Sequence, residues 1–195
     1  HNETHGDRVG FWGWFECIDD QAVADALFAA ADAWLRPRGL TVSRGPASFS
    51  TNDQCGLLVD GFETRPTLMM PHNPRYYATL VERAGYVKAR DLFCLQGGDN
   101  EKYKPVPERA SRGAKIVKER LGLTVRPIDM KDFKGEVSRI KAIYNASWEK
   151  NWGFVPLTDH EIDHLAAQFK PIAIPDIVPF VEKDGQPIGF CLKLP

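Results

Sequence analysis

Residues 73–92, NPRYYATLVERAGYVKARDL, constrain the fold more than any other stretch of this chain. They spell a short helix with punctuation at both ends. Asn73 is suited to cap the first turn, and Pro74 to take the first helical position. Tyr77, Leu80, Val81 and Ala84 fall at the spacing that places them on one helix face, so that face is expected to pack on a core. Gly85 is expected to end the helix, because the left-handed backbone that closes a helix costs glycine nothing. A strand is expected over 87–95.

Similar reasoning runs along the rest of the chain. GFWGWFEC, residues 10–17, is aromatic-rich and strand-like. Asp19 and Asp20 offer a cap to a helix over 21–36, whose stripe is read as Val23, Leu27, Ala30, Ala31, Trp34 and Leu35, with Gly39 as its stop. Short strands are expected at 40–43 and 55–59, and 67–70 is a further short apolar run. GGDNEKYKP, residues 97–105, is polar with two adjacent glycines and reads as a linker. Beyond it come a basic helix over 107–121, a strand over 123–128, and an amphipathic helix marked by Phe133, Val137, Ile140, Tyr144 and Trp148. Thr158 and Glu161 form a capping-box pattern before Ile162, Leu165, Ala166 and Phe169. Asp184-Gly185 is a hairpin turn between strands at 177–183 and 186–194.

Composition excludes several classes. The 195 residues carry a formal net charge of -1, so neither a basic excess for nucleic acid nor an acidic tail is present. No apolar run approaches the roughly 20 residues that span a bilayer. Cys17, Cys55, Cys94 and Cys191 are far apart without a C-x-x-C pair, which argues against a disulfide framework or zinc knuckle and fits a reducing, cytoplasmic setting. The chain begins at His1 and ends directly after a strand-like run, so it reads as an internal piece of a longer protein.

The order of elements is α/β, strictly α+β by layering. It resembles the GNAT (GCN5-related N-acetyltransferase) fold cut in two places. Residues 1–96 resemble the C-terminal half of one unit. Residues 97–122 read as linker and helix, and 123–195 resemble the N-terminal half of a second unit. Two incomplete tandem units would each have a mixed, mostly antiparallel sheet flanked by helices. GFWGWFECIDD, GPASFSTNDQCGLLVDGF, NPRYYATLVERAGY, IYNASWEKNWGFVPLT and DGQPIGFCLKLP together resemble a bacterial group of tandem GNAT proteins related to bacterial ceramide synthase. The resemblance implies an acyl-CoA-dependent N-acyltransferase. Its cosubstrate would be acetyl-CoA or a longer acyl-CoA, with no metal. Its acceptor would be a small-molecule amine, lipid-like and of the long-chain sphingoid type. A non-catalytic ligand-binding or structural module is the alternative.

The resemblance also indicates where chemistry should lie. The turn that usually cradles the CoA pyrophosphate corresponds to residues 17–22, CIDDQA. It lacks glycine and carries two carboxylates, which suit helix capping and repel a pyrophosphate. The second unit's equivalent turn would lie past Pro195, so this chain alone is expected to be inactive. The family's usual tyrosine position is held here by Val81. Tyr77, one turn earlier on the same face, is the candidate acid, and a core tyrosine is the alternative. Asn52 and Asp53, with Gln54, sit in a polar loop that reads either as substrate-binding or as turn chemistry. Glu149 can steer or deprotonate an amine, or be a solvated helix carboxylate. Trp152, off the helix stripe, is the candidate for lining an apolar acceptor groove, with Trp148 divided between groove and core. HEIDH, residues 160–164, matches H-E-x-x-H and opens a remote zinc-peptidase reading through His160, Glu161 and His164, although no third ligand follows.

Overall fold

The structure is a computed structural model and describes residues 1–95 and 108–195. The linker expected at 97–105 lies outside the described residues. The chain divides into two compact units, one of His1–Cys94 with Asn151–Val155 and one of Leu95–Lys150 with Pro156–Pro195.

The first unit contains α1 (Asn2–His5), β1 (Val9–Phe11), α2 (Gln21–Leu35), β2 (Val42–Arg44) and α3 (Tyr76–Arg83). β1 and β2 pair in parallel, with Phe11 opposite Arg44. The ladder continues irregularly through Trp12 N–H to the Arg44 carbonyl at 3.0 Å and Ala47 N–H to the Trp12 carbonyl at 2.8 Å. Gly13 permits this approach, since a Cβ there would lie 2.2 Å from the Ala47 carbonyl oxygen. The strand expected over 10–17 therefore ends early. Trp14 takes a left-handed φ of 52° and the chain leaves the ladder.

Aromatic packing builds this unit's core. Trp12 and Phe28 are buried with Ala24 and Leu80, and Phe15 stacks on Phe28 at 5.1 Å between centroids. Each large side chain removed from water contributes about 1.5–3 kcal/mol. α2 buries Ala24, Phe28 and Leu35, and of the stripe read in the sequence Leu35 is buried and Ala31 packs against the core. Val23, Leu27 and Trp34 of that stripe are exposed. The helix is apolar on several faces, and the rings of Trp12, Phe15 and Tyr86 select the face that carries Phe28.

α3 buries Tyr77 and Leu80 as its stripe requires, and Gly85 follows at φ 93°. Asn73 does not cap it. Its amide instead brackets Leu58, accepting from the Leu58 N–H at 2.7 Å and donating to the Leu58 carbonyl at 3.3 Å. An asparagine side chain offers the same donor and acceptor as a neighbouring strand. Asn2 brackets Val9, and Asn145 brackets Leu157, in the same manner. No strand forms over 87–95, or at 55–59 and 67–70. Val87, Phe93 and Leu95 stand exposed without a sheet partner among the described residues.

The second unit contains α4 (Glu108–Leu121), β3 (Leu123–Pro127), α5 (Phe133–Trp148), α6 (Asp159–Phe169), β4 (Pro179–Lys183) and β5 (Gln186–Phe190). Its antiparallel sheet runs β3-β4-β5. Asp184 and Gly185, at φ 53° and 74°, make the expected hairpin turn. Ile128, Val178 and Phe180 are buried, with Phe133, Ile140 and Ile143 of α5 packed against them. The α5 stripe fades toward its end, where Trp148 is exposed and stacks on Tyr144. The Thr158–Glu161 capping box starts α6 as the sequence indicates.

Candidate functional site

The CIDDQA turn is closed by its own side chains. Asp20 is the N-cap of α2, and its carboxylate accepts the Ala22 N–H at 2.8 Å. That N–H is therefore already satisfied, and the adjacent Asp19 adds further negative charge. An anion approaching this turn would meet two carboxylates and an N–H already engaged. Both aspartates, after partial burial, also push the Cys17 thiol above its ordinary pKa, so it stays protonated at neutral pH.

Tyr77 lies beside this turn. Its hydroxyl donates to Glu16 Oε2 at 2.8 Å and accepts from the Cys17 N–H at 3.0 Å. Tyr76 donates to the Cys17 carbonyl at 2.9 Å. The two phenols thus clamp both backbone polar groups of Cys17. Burial, ahead of the Glu16 contacts, raises the Tyr77 pKa, so the phenol is neutral and engaged as a tether.

Asn52 and Asp53 serve a loop and a strap. Asn52 Nδ2 donates to the Val155 carbonyl at 2.7 Å, and Thr51 Oγ1 to the Gly153 carbonyl at 3.0 Å. His5 Nε2 donates to the Phe154 carbonyl at 2.7 Å. Three polar side chains therefore hold Asn151–Val155, and Phe154 is buried beneath them. Asp53 accepts from Ser50 Oγ at 3.1 Å within its own turn. Trp152, on the same strap, is 38% exposed. Arg44 and Arg90 approach its ring, at 5.1 Å and 6.0 Å from the centroid.

In the second unit, Glu149 caps the end of α5 in an exposed position. Near the start of α6, a cleft of about 300 Å³ is lined by Val137, Lys141, Asn145, Asp159, Ile162 and Asp163. Lys141 forms an ion pair with Asp159 at its lip. The cleft is lined by apolar Val137 and Ile162 together with charged groups of both signs. The HEIDH residues have other occupations. Glu161 is held in the capping box, and His164 Nε2 lies 3.0 Å from Gln168 Nε2. Among the described residues, no group of three or more His, Cys, Asp or Glu side chains is placed to hold a metal ion.

The chain is 40% identical over 194 residues to a Caulobacter vibrioides protein named bacterial ceramide synthase, covering 98% of this chain and 49% of that protein. It is 36% identical over 197 residues to the Escherichia coli protein YghO, covering 100% of this chain and 49% of that one. This chain is a homologue of part of each protein. It spans about half the length of the curated relatives it matches. No family model matches it, and no solved structure does. Among the described residues, no helix is long and apolar enough to cross a membrane.

Two groupings escaped the sequence reading. Glu136 is 1% exposed and sits between Arg126 and Arg139. Its signal was present, since it lies three residues after Phe133 and four before Ile140, on the apolar stripe of α5. The meeting of Arg44 and Arg90 at Trp152 had no local signal, because the three residues are remote from one another in the chain.

Proposed function

We propose that this chain is part of a GNAT-related, acyl-CoA-dependent N-acyltransferase built from two tandem units, working in the cytoplasm on a long-chain, sphingoid-type amine. One observation carries the reading: 40% identity along 98% of the chain to a protein named for ceramide synthesis. The amine nitrogen would attack the thioester carbonyl of acetyl-CoA or a longer acyl-CoA. The N–C bond forms, the C–S bond breaks, and the proton lost from nitrogen passes through a base or water to the leaving sulfur, so CoA departs as the thiol. The α5–α6 cleft supplies an apolar wall and carboxylates suited to an amphipathic cation. In this reading Trp152 is the ligand-facing candidate of the first unit, where Tyr77, Asn52 and Asp53 hold the surrounding elements, and Glu149 is the candidate of the second unit.

The closed CIDDQA turn favours a second reading for the first unit, that of a structural or ligand-binding module without its own acyl-CoA site. Both readings are tested on this chain and on the product of its complete reading frame. Calorimetry measures binding of acetyl-CoA and palmitoyl-CoA, and mass spectrometry follows acylation of sphinganine. Amide formed in equal amount with free CoA thiol supports the enzyme. Absence of both binding and product in the complete protein supports the module.

A further inference from the structure

Four arginines among the described residues pair with carboxylates. Arg36 pairs with Asp32, Arg75 with Glu63, Arg126 with Glu136 and Glu182, and Arg139 with Asp132 and Glu136. Arg44 and Arg90 belong to the unpaired remainder, with Arg8, Arg65 and Arg83, and are set apart by sharing the ring of Trp152. Neither guanidinium has a carboxylate or a hydrogen-bond acceptor among the described residues, although both lie beside one indole. The acidic neighbour of Arg90 in sequence, Asp91, is taken by Lys88 at 3.0 Å.

The platform beneath them is built rather than incidental. Arg44 ends β2 in register with Phe11, its carbonyl accepts the Trp12 N–H, and its guanidinium lies 5.9 Å from the Phe11 ring. Trp152 is carried by the strap that His5, Thr51 and Asn52 hold through the carbonyls of Phe154, Gly153 and Val155. The distances to the shared ring place the two guanidinium carbons no more than about 11 Å apart, close to one Debye length in 0.1 M salt. Two like charges at that separation repel, and each contact with an exposed ring returns only about 0.5–1 kcal/mol. Neither N–H fork has an acceptor among the described residues, and an anion bound beside the ring would relieve the repulsion.

We propose that Arg44, Arg90 and Trp152 form a recognition site for a phosphate monoester. A dianionic phosphate matches the two positive charges and can accept from both forks, whereas a carboxylate supplies one charge. The exposed part of the indole leaves a surface for the carbon skeleton attached to the phosphate. That phosphate belongs either to the nucleotide end of a CoA thioester or to a phosphorylated lipid-like amine. The choice of source rests on the acyltransferase reading, while the phosphate site itself does not.

The test titrates inorganic phosphate, CoA, dephospho-CoA and dodecyl phosphate into the chain by calorimetry, with tryptophan fluorescence in parallel. R44Q and R90Q are each expected to weaken binding at least about tenfold, corresponding to loss of one charge-assisted contact. R44K and R90K should retain part of the affinity, and added salt should weaken binding in the wild type. A preference for CoA over dephospho-CoA assigns the site to the nucleotide end. Tighter binding of dodecyl phosphate assigns it to a lipid headgroup. Melting curves check folding, and the exposed Arg90 supplies the informative variant should R44Q unfold. Unchanged affinity in the folded R90Q variant, or no binding of any probe to the wild type, overturns the proposal. Phosphate binding without amide formation by the complete protein would sink the acyltransferase reading and leave this site standing.

Discussion

Arg126 grips both carboxylate oxygens of Glu136, with Nη1 3.1 Å from Oε2 and Nη2 3.0 Å from Oε1. Arg139 Nη1 adds a third contact to Oε1 at 2.7 Å, and Arg126 Nε reaches Glu182 at 2.7 Å. The pair ties α5 to β3 through a nearly inaccessible carboxylate. Removing one partner of such a pair strands the others, at a cost of about 3–5 kcal/mol. Glu136→Ala should lower stability by that amount in urea unfolding. Glu136→Gln, which keeps the shape and some hydrogen bonds, should cost less. Equal stability of Glu136→Ala and the wild type would show that the network does not hold α5.

Tyr77 gives a separable prediction. Phenylalanine there keeps the ring and leaves the Cys17 N–H and Glu16 without their hydroxyl partner. The loss should be about 1–3 kcal/mol, the usual cost of an unpaired buried polar group. The raised pKa sets the pH dependence. Tyr77 contributes its full stability below the ordinary tyrosine value, and the contribution is lost as pH rises through the raised one. Tyr77→Phe should flatten the alkaline limb of the stability profile. An unchanged limb would remove Tyr77 as its source.

The α6 capping box responds at the opposite end of the pH scale. Hydrogen bonds from the Thr158 hydroxyl and then its backbone N–H hold the Glu161 carboxyl below the usual range. This contribution is present above the ordinary glutamate pKa and lost as pH falls through the depressed value. Thr158→Ala should cost about 0.5–2 kcal/mol at neutral pH and weaken the acid dependence. Denaturant titrations at pH 7 and pH 3 measure both effects.

Thiol reactivity should divide the four cysteines. Cys94 and Cys191 are exposed. Burial and then Asp20 and Asp19 push Cys17 up, and burial and then Asp53 do the same for Cys55. Only the thiolate attacks, so Cys94 and Cys191 should be alkylated first by iodoacetamide at pH 7.5. Cys17 and Cys55, whose thiolate fractions are reduced, should lag behind them. Peptide mass spectrometry at timed intervals reads the order directly, and early labelling of Cys17 would contradict it.

Features governed by neighbours in sequence were legible in the residues alone. Asp20 caps α2, Gly85 follows α3 with positive φ, Thr158 and Glu161 close their box, and Asp184-Gly185 turns the hairpin. Each involves groups within a few positions of one another, so its free energy is written in the local string. The candidate site was less legible. Trp152 was recognisable as an aromatic lying off its helix stripe, but the arginines that flank it come from β2 and from the segment after α3.

Tertiary structure decided the remainder. The buried face of α2 was set by the rings of Trp12, Phe15 and Tyr86, because a helix apolar on several sides has no single face of its own. Residues 87–95 stayed out of any sheet, since a strand exists only where a partner completes its hydrogen bonds. Asn73 left its cap position for Leu58, and Glu136 entered the interior between two arginines. In these cases the deciding partners are distant in the chain. Sequence fixes the local preferences of a residue, while burial and charge pairing depend on which remote groups folding brings beside it.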